Sequence, residues 1–138
     1  MSLLNIFEVA GSGLSAQSTR LNVTASNISN SQSVASSPEE AYKARNPVFA
    51  TMYKNAFQTS SESMGVQALG IIESTGEHPK RYEPGNPLAD EDGYIYLSNV
   101  NAIEEMTNMM SASRSYQNNV EVINTSKELL LQTLRLGE

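Results

Sequence analysis

Apolar residues fall at helical spacing in two long stretches at the ends of the chain, and not in the region between them. From Ala102 onward they recur at alternating steps of four and three: Met106, Met109, Tyr116, Val120, Ile123, Leu130 and Leu134, with Ser113 and Lys127 breaking the series. That period predicts a helix over 101–136 with one sticky stripe, sustained for about five heptads. At ~1.5 Å per residue it spans roughly 50 Å, far beyond the mean globular helix of about three turns. Its ends are marked. Asn101 suits the N-cap, and Glu104 three residues on completes an N-x-x-E capping box. Glu104 and Glu105 complement the positive end of the helix dipole and Arg135 the negative end. Gly137 sits where helices often leave through a left-handed residue.

Residues 3–28 repeat this logic. Leu3, Phe7, Ala10, Leu14, Leu21, Ala25 and Ile28 fall within a narrow arc at 100° per residue. Phe7, Leu14, Leu21 and Ile28 are spaced by seven, as in a coiled-coil seam. The opposite face holds Asn5, Ser12, Ser15, Thr19 and Ser26, and Glu8 and Arg20 are the only charges. A back face of small uncharged polar groups suits contact with other protein surfaces better than an ordinary solvated face does. Gly11 and Gly13 each cost a helix about 1 kcal/mol relative to Ala, and close approach of a neighbouring helix is the expected compensation.

The middle differs in kind. Residues 29–37 (SNSQSVASS) have no periodicity and read as a loop, and 31–41 as a linker. Strand-like composition covers 42–53, 66–74 and 94–97. Pro47 favours an edge strand over a central one, while 55–63 and 84–93 read as polar connectors. The expected organisation is therefore an N-terminal helix (1–30), a linker (31–41), a β-rich middle (42–98) and a C-terminal helix (99–138). The fold class is α+β, with long terminal helices packing as a coiled-coil-like pair.

Charge and composition narrow the function. A net charge of −6 argues against nucleic acid, which demands a basic face, and disfavours an anionic membrane surface. No stretch is long enough for a membrane span, and the start lacks the positive charge of a secretory signal. With no Cys there are no disulfides, thiolate nucleophiles or Cys-type zinc sites.

Candidate chemistry is sparse. Gly11-Ser12-Gly13-Leu14-Ser15-Ala16 matches G-x-G-x-x-A, but no second strand or acidic residue follows at the distance a dinucleotide site needs. Asp90-Glu91-Asp92-Gly93 resembles part of an EF-hand loop, yet Leu88 fills the first ligand position and Asn99 replaces the closing Glu. His78 is the lone histidine. Asn22, Asn27 and Asn124 begin N-x-[ST] triplets within predicted helices. Met106, Met109 and Met110 could form an adaptable partner groove. Nothing points to catalysis, a cofactor, a metal or a small-molecule substrate.

Two stripes of unequal length cannot cover each other. The C-terminal helix should extend past the other by roughly 10–15 Å, and the uncovered apolar surface needs partners. Repeated head to tail, such a contact gives a ring or a fibre. On residues alone this is a self-associating subunit with a helical inner layer and a β-rich outer piece. A helical adaptor or export-chaperone-like module would use the same stripes.

The segments SGLSAQSTRLNVTASNISN and NVNAIEEMTNMMSASRSYQNNVEVINTSKELLLQTLRLG resemble the opening and closing signatures of the flagellar rod and hook proteins, the bacterial axial family. With YKARNPVFATM, GVQALGIIES, YEPGNPLADEDGYIYLSNVN and the short length, the likeness is to the proximal-rod members in particular. Ser26 and Ser33 depart from the family's frequent Asn and Thr. The resemblance implies a non-enzymatic subunit of the flagellar basal body, crossing the periplasm as part of the torque-transmitting proximal rod and polymerising through its terminal helices. It implies export through the flagellar type III apparatus, assembly beneath the rod cap, and contacts with other copies, FlgB, FlgF and FliE. Signature positions carried over are Ser12, Gly13, Leu14, Ala16, Leu21, Ala25, Asn27, Ile28 and Asn30. At the other end they are Asn99, Asn101, Glu105, Met106, Met109, Ala112, Arg114, Tyr116 and Asn119. All are expected to pack or hydrogen-bond between helices.

Overall fold

The computed structural model describes residues 3–52 and 65–136. The polar connector read at 55–63 and the C-terminal Gly137 lie outside the described residues. Helix α1 (Leu3–Ser29) runs unbroken through Gly11 and Gly13, so the G-x-G-x-x-A run is helix interior. It ends at Asn30, whose N–H still reaches the Ser26 carbonyl at 3.1 Å and whose side-chain amide adds a second bond there at 2.9 Å, while the next N–H, that of Ser31, turns back only three residues to Ile28. Helix α2 (Ala102–Leu136) begins at the predicted cap, where Asn101 Oδ1 accepts from the backbone N–H of Ile103 and Glu104.

Between the helices lie β1 (Val34–Ala35), β2 (Arg45–Met52), β3 (Gly65–Glu73), β4 (Lys80–Tyr82) and β5 (Tyr94–Leu97). They form two separate antiparallel sheets, a three-stranded β1-β5-β4 and a two-stranded β2-β3. The predicted strands are present, and β2, which carries Pro47, pairs on one side only among the described residues. Two short strands fall where none was expected: β1 inside the stretch read as loop, and β4 after His78. Neither is long enough to show a period of two, and each exists because β5 offers it a hydrogen-bonding edge.

The three-stranded sheet sits where α1 ends and α2 begins, with Ile95 of β5 at its centre and 0% exposed. Tyr82 and Tyr94 stack edge to face at 5.3 Å. The turn entering β5 is organised by Asp90. Its Oδ1 accepts from the N–H groups of Asp92 and Tyr94, and its Oδ2 from the Tyr96 hydroxyl. The EF-hand-like run is thus a turn whose first carboxylate is already engaged. Gly93 completes it at φ +82°, a left-handed conformation. His78 Nδ1 donates to the Leu97 carbonyl at 2.9 Å. The β2-β3 hairpin packs on α1, and the only element α2 touches among the described residues is α1.

The backbone N–H of Tyr94, opposed by desolvation and aided by weaker hydrogen bonds from Tyr96, Asp92 and Gly93, holds the Asp90 carboxyl below its ordinary value of 3.8. A depressed carboxylate stabilises the fold above its unfolded-state pKa and loses that contribution as pH falls through the folded value. Exchange of the Tyr94 amide, corrected for its intrinsic rate, should therefore accelerate on acidification below that range, and Asp90→Ala should already be fast at neutral pH. Gly93→Ala should destabilise by about 1–2 kcal/mol in thermal melts through its left-handed backbone. A Cβ there would also stand 2.9 Å from the Tyr82 ring.

Candidate assembly interface

The two helices run antiparallel. Asn27 meets Glu105, Arg20 meets Asn108, and Gly13 meets Asn119. The α2 residues nearest α1 are thus Glu105, Ala112, Asn119 and Ser126, spaced by seven. Ala112, Glu105 and Ser126 are buried. From α1 the buried groups are Ala10, Ala16, Val23, Thr24 and Asn27. This is a seam of small and polar side chains, and it lets the helices approach closely. A Cβ on Gly13 would stand 2.9 Å from Asn119 Nδ2. Nothing lies within 4 Å of such a Cβ at Gly11, so the expectation of a close neighbour holds at one of the two glycines.

The polar end of the seam is a four-way junction. Asn27 Nδ2 donates to the Arg45 carbonyl at 2.8 Å and to Glu105 Oε2 at 3.0 Å. Its Oδ1 accepts from Arg45 N–H and from the Tyr42 hydroxyl, both at 3.0 Å. An amide has two donors and two good acceptor directions, and all are used. Asn99 plays a similar part nearby, accepting from Ala44 N–H and donating to the Gly76 carbonyl. Ser12, on the predicted back face of α1, accepts from Val66 N–H at 3.0 Å. That face is covered in part by the chain's own hairpin.

The apolar stripes lie to one side of this seam. Met106, Met109, Tyr116, Val120, Ile123, Leu130 and Leu134 are centred roughly 70° round α2 from the line facing α1. Met106 is 54% and Leu134 61% exposed, and Tyr116 is also exposed. Met109, Val120, Ile123, Leu130 and Ala102 are half-buried. On α1, Phe7, Leu14, Leu21 and Ile28 sit one position after the contact line and are half-buried, while Ala25 is exposed. Leu3 belongs to α1 by its backbone. Because the helices are antiparallel, the position following each contact residue lies on the same side of the pair in both. The two stripes therefore adjoin and form one apolar face, while Ser12 and Ser26, one position before the contact line, turn toward the hairpin and Tyr42. The eight residues by which α2 (35) exceeds α1 (27) leave Leu129, Leu131, Leu134 and Leu136 exposed at its end.

Sequence reasoning missed a second apolar surface. Strand β3 exposes Val66, Leu69, Ile71 and Ile72, on a hairpin with no further strand beside it among the described residues. Its near-continuous apolar run was visible, but a run of that kind reads equally as a buried strand. A cleft of about 350 Å³ between α1, β2 and the start of α2 is lined by Gln17, Arg20, Thr24, Arg45, Phe49 and Glu105. Its charges are mixed. Arg20 is tied to Asn108 and Arg45 faces Glu73 at 3.6 Å, so it presents no poised nucleophile or base. Among the described residues no group of three His, Asp or Glu side chains stands together as a metal site, and no helix is long and apolar enough to cross a membrane.

Two family models match the two halves of the helix pair. Residues 7–34 match the flagella basal body rod protein family, and residues 91–136 match the C-terminal family of the flagellar basal body rod FlgEFG proteins. Over the whole length of both chains, the protein is 51% identical to the flagellar basal-body rod protein FlgC of Yersinia enterocolitica. It is 49% identical to that of Salmonella typhimurium and 51% to that of Escherichia coli O6:H1, again end to end.

The seam makes Gly13 a steric test. Gly13→Ala should stay within about 1 kcal/mol of the parent in urea unfolding, since the helix-propensity gain offsets a displaced amide tip. Gly13→Val should lose about 1–3 kcal/mol by overpacking.

Proposed function

The chain belongs to the flagellar basal-body rod proteins, and from that premise we propose that it polymerises through its two terminal helices into the proximal rod, the drive shaft that carries torque across the periplasm. It is a structural subunit of the bacterial flagellar basal body. Its neighbours in this reading are further copies of itself, FlgB, FlgF and FliE. The rod cap and the type III export apparatus handle it during assembly. It has no substrate and performs no reaction.

One observation carries the reading: the described part of the chain buries small residues fully and leaves large ones half-buried or exposed. Apart from Ile95 and Val23, its buried apolar residues are all alanines, while leucines, isoleucines, methionines and valines stand exposed along α2 and β3. Apolar surface gains about 25 cal/mol for each Å² removed from water. A chain that keeps its largest apolar groups outside its own core gains that energy on contact with neighbours. The adjoining stripes of α1 and α2 supply a continuous face for this, and the leucine-rich end of α2 supplies an overhang that reaches past its own subunit.

Leu21 and Val120 lie on that face, one from each helix. Leu21→Asp or Val120→Asp should abolish swimming in soft agar and remove the protein from isolated basal bodies. The circular-dichroism signal of the β-rich middle should persist. Retained motility in either variant would count against the helical face as the polymerising surface. Sedimentation of the parent protein that saturated at one small defined complex would favour an adaptor instead.

A further inference from the structure

A helix pair whose seam is made of small side chains has little to stop one helix from sliding along the other. In a leucine-filled seam each large knob occupies one hole and resists displacement. Here the facing lines are Gly13, Arg20 and Asn27 against Glu105, Ala112, Asn119 and Ser126, each spaced by seven. A slip of one heptad moves α2 by ~10 Å. In one direction it sets Glu105 opposite Arg20 and Ala112 opposite Gly13, so opposite charges meet and small groups meet. Elementary chemistry does not reject that pairing. In the other direction Ala112 comes opposite Asn27, whose amide N–H loses its carboxylate.

Three features oppose the slip: the short link from β5 to α2, held through Asn99 to Ala44 and Gly76, the fit of Asn119 over Gly13, and the bond from Asn27 to Glu105. The last is the one made inside the seam, and it is well anchored. Asn27 is 1% exposed, and its other three hydrogen bonds go to Arg45 and Tyr42, on the linker and β2 side of the molecule. The amide cannot follow α2 if α2 moves. It presents one N–H from a fixed position, and Glu105 is the acceptor that finds it.

We infer that the Asn27–Glu105 hydrogen bond is a register pin, which sets the axial position of α2 against α1 and makes Glu105 a positioning residue for assembly. Polar groups buried in helical seams are known to select one register over near-equivalent ones. The register decides how far the leucine-rich end of α2 projects and how the stripes of the two helices line up. That consequence rests on reading the helices as the polymerising surface; the pin itself does not.

The chain contains no cysteine, so spin labels can be placed singly. Asn22→Cys on α1 and Asn124→Cys on α2, both exposed, are well offset along the pair, and a slip changes their separation by ~10 Å. Pulsed electron-electron resonance on the free labelled chain should give one narrow distance. Glu105→Leu leaves the other bonds of Asn27 in place and, in the slipped register, sets an apolar side chain against the aliphatic stem of Arg20. It should add a second population shifted by about 10 Å, with a lowered melting temperature because the buried Asn27 N–H loses its acceptor. Glu105→Gln keeps an acceptor for Asn27 and should restore the single distance. In unlabelled cells swimming should be lost with Glu105→Leu and kept with Glu105→Gln.

A single unchanged distance in Glu105→Leu overturns the pin, as does a broad or double distribution in the parent. Glu105→Met, closer in shape to the native side chain, stands in if Glu105→Leu does not fold. Failure of both to fold would reduce the bond to a stabilising contact and overturn the inference too. The distance is read on the free chain, so its outcome is separate from the motility of the Leu21 and Val120 variants.

Discussion

The close approach of α1 to α2 is the constraint from which the rest follows. Two helices come together where their facing side chains are small, and here those are Gly13, Ala16, Ala112 and Ser126, with the Asn119 amide laid over Gly13. Filling the seam with small groups leaves no room in it for the leucines, isoleucines and methionines the chain also carries. They are displaced to one flank of the pair, where both helices contribute to the same face. An inventory of large apolar residues that would make a tight two-helix core in an isolated protein is here turned outward.

Polar contacts hold the middle region to this pair. Asn27, Asn99, Tyr42 and Ser12 each use a side chain to satisfy backbone or side-chain groups of another segment. Such bonds contribute about 1 kcal/mol each net, but they are directional, and they fix where a strand begins more sharply than an apolar contact does. The two small sheets bury little and could not be very stable alone. A subunit organised this way is well specified in shape while much of its large apolar surface stays only partly covered.

Legibility along the sequence tracked the length of each element. The long helices, the cap at Asn101 and strands β3 and β5 have a period or composition that local reasoning reads. Strands β1 and β4, two and three residues long, have neither. They are created by the free edges of β5. The stripes of α1 and α2 were visible as stripes, but their partner was not. The natural expectation paired Phe7, Leu14, Leu21 and Ile28 with the matching row of α2 as a seam, whereas the seam runs one position away. The glycines show the same limit: Gly13 and Gly11 look alike in sequence, and only Gly13 has a neighbour pressed against it. Asn27 read as a polar helix position and a family signature, and nothing local marked it as the point where three segments meet.

From the order of residues alone came two amphipathic rods at the chain ends, a turn-rich β middle, and apolar surface in excess of what one chain could cover. Periodicity and composition are local quantities, and each of these conclusions needs only neighbours in sequence. Which side of each helix faces the other, which glycine is crowded, which register the pair adopts and which stripes remain bare were decided by the tertiary structure. Those depend on side chains as far apart in sequence as Asn27 and Glu105, and on a difference in packing between small and large groups that appears only once the helices are side by side.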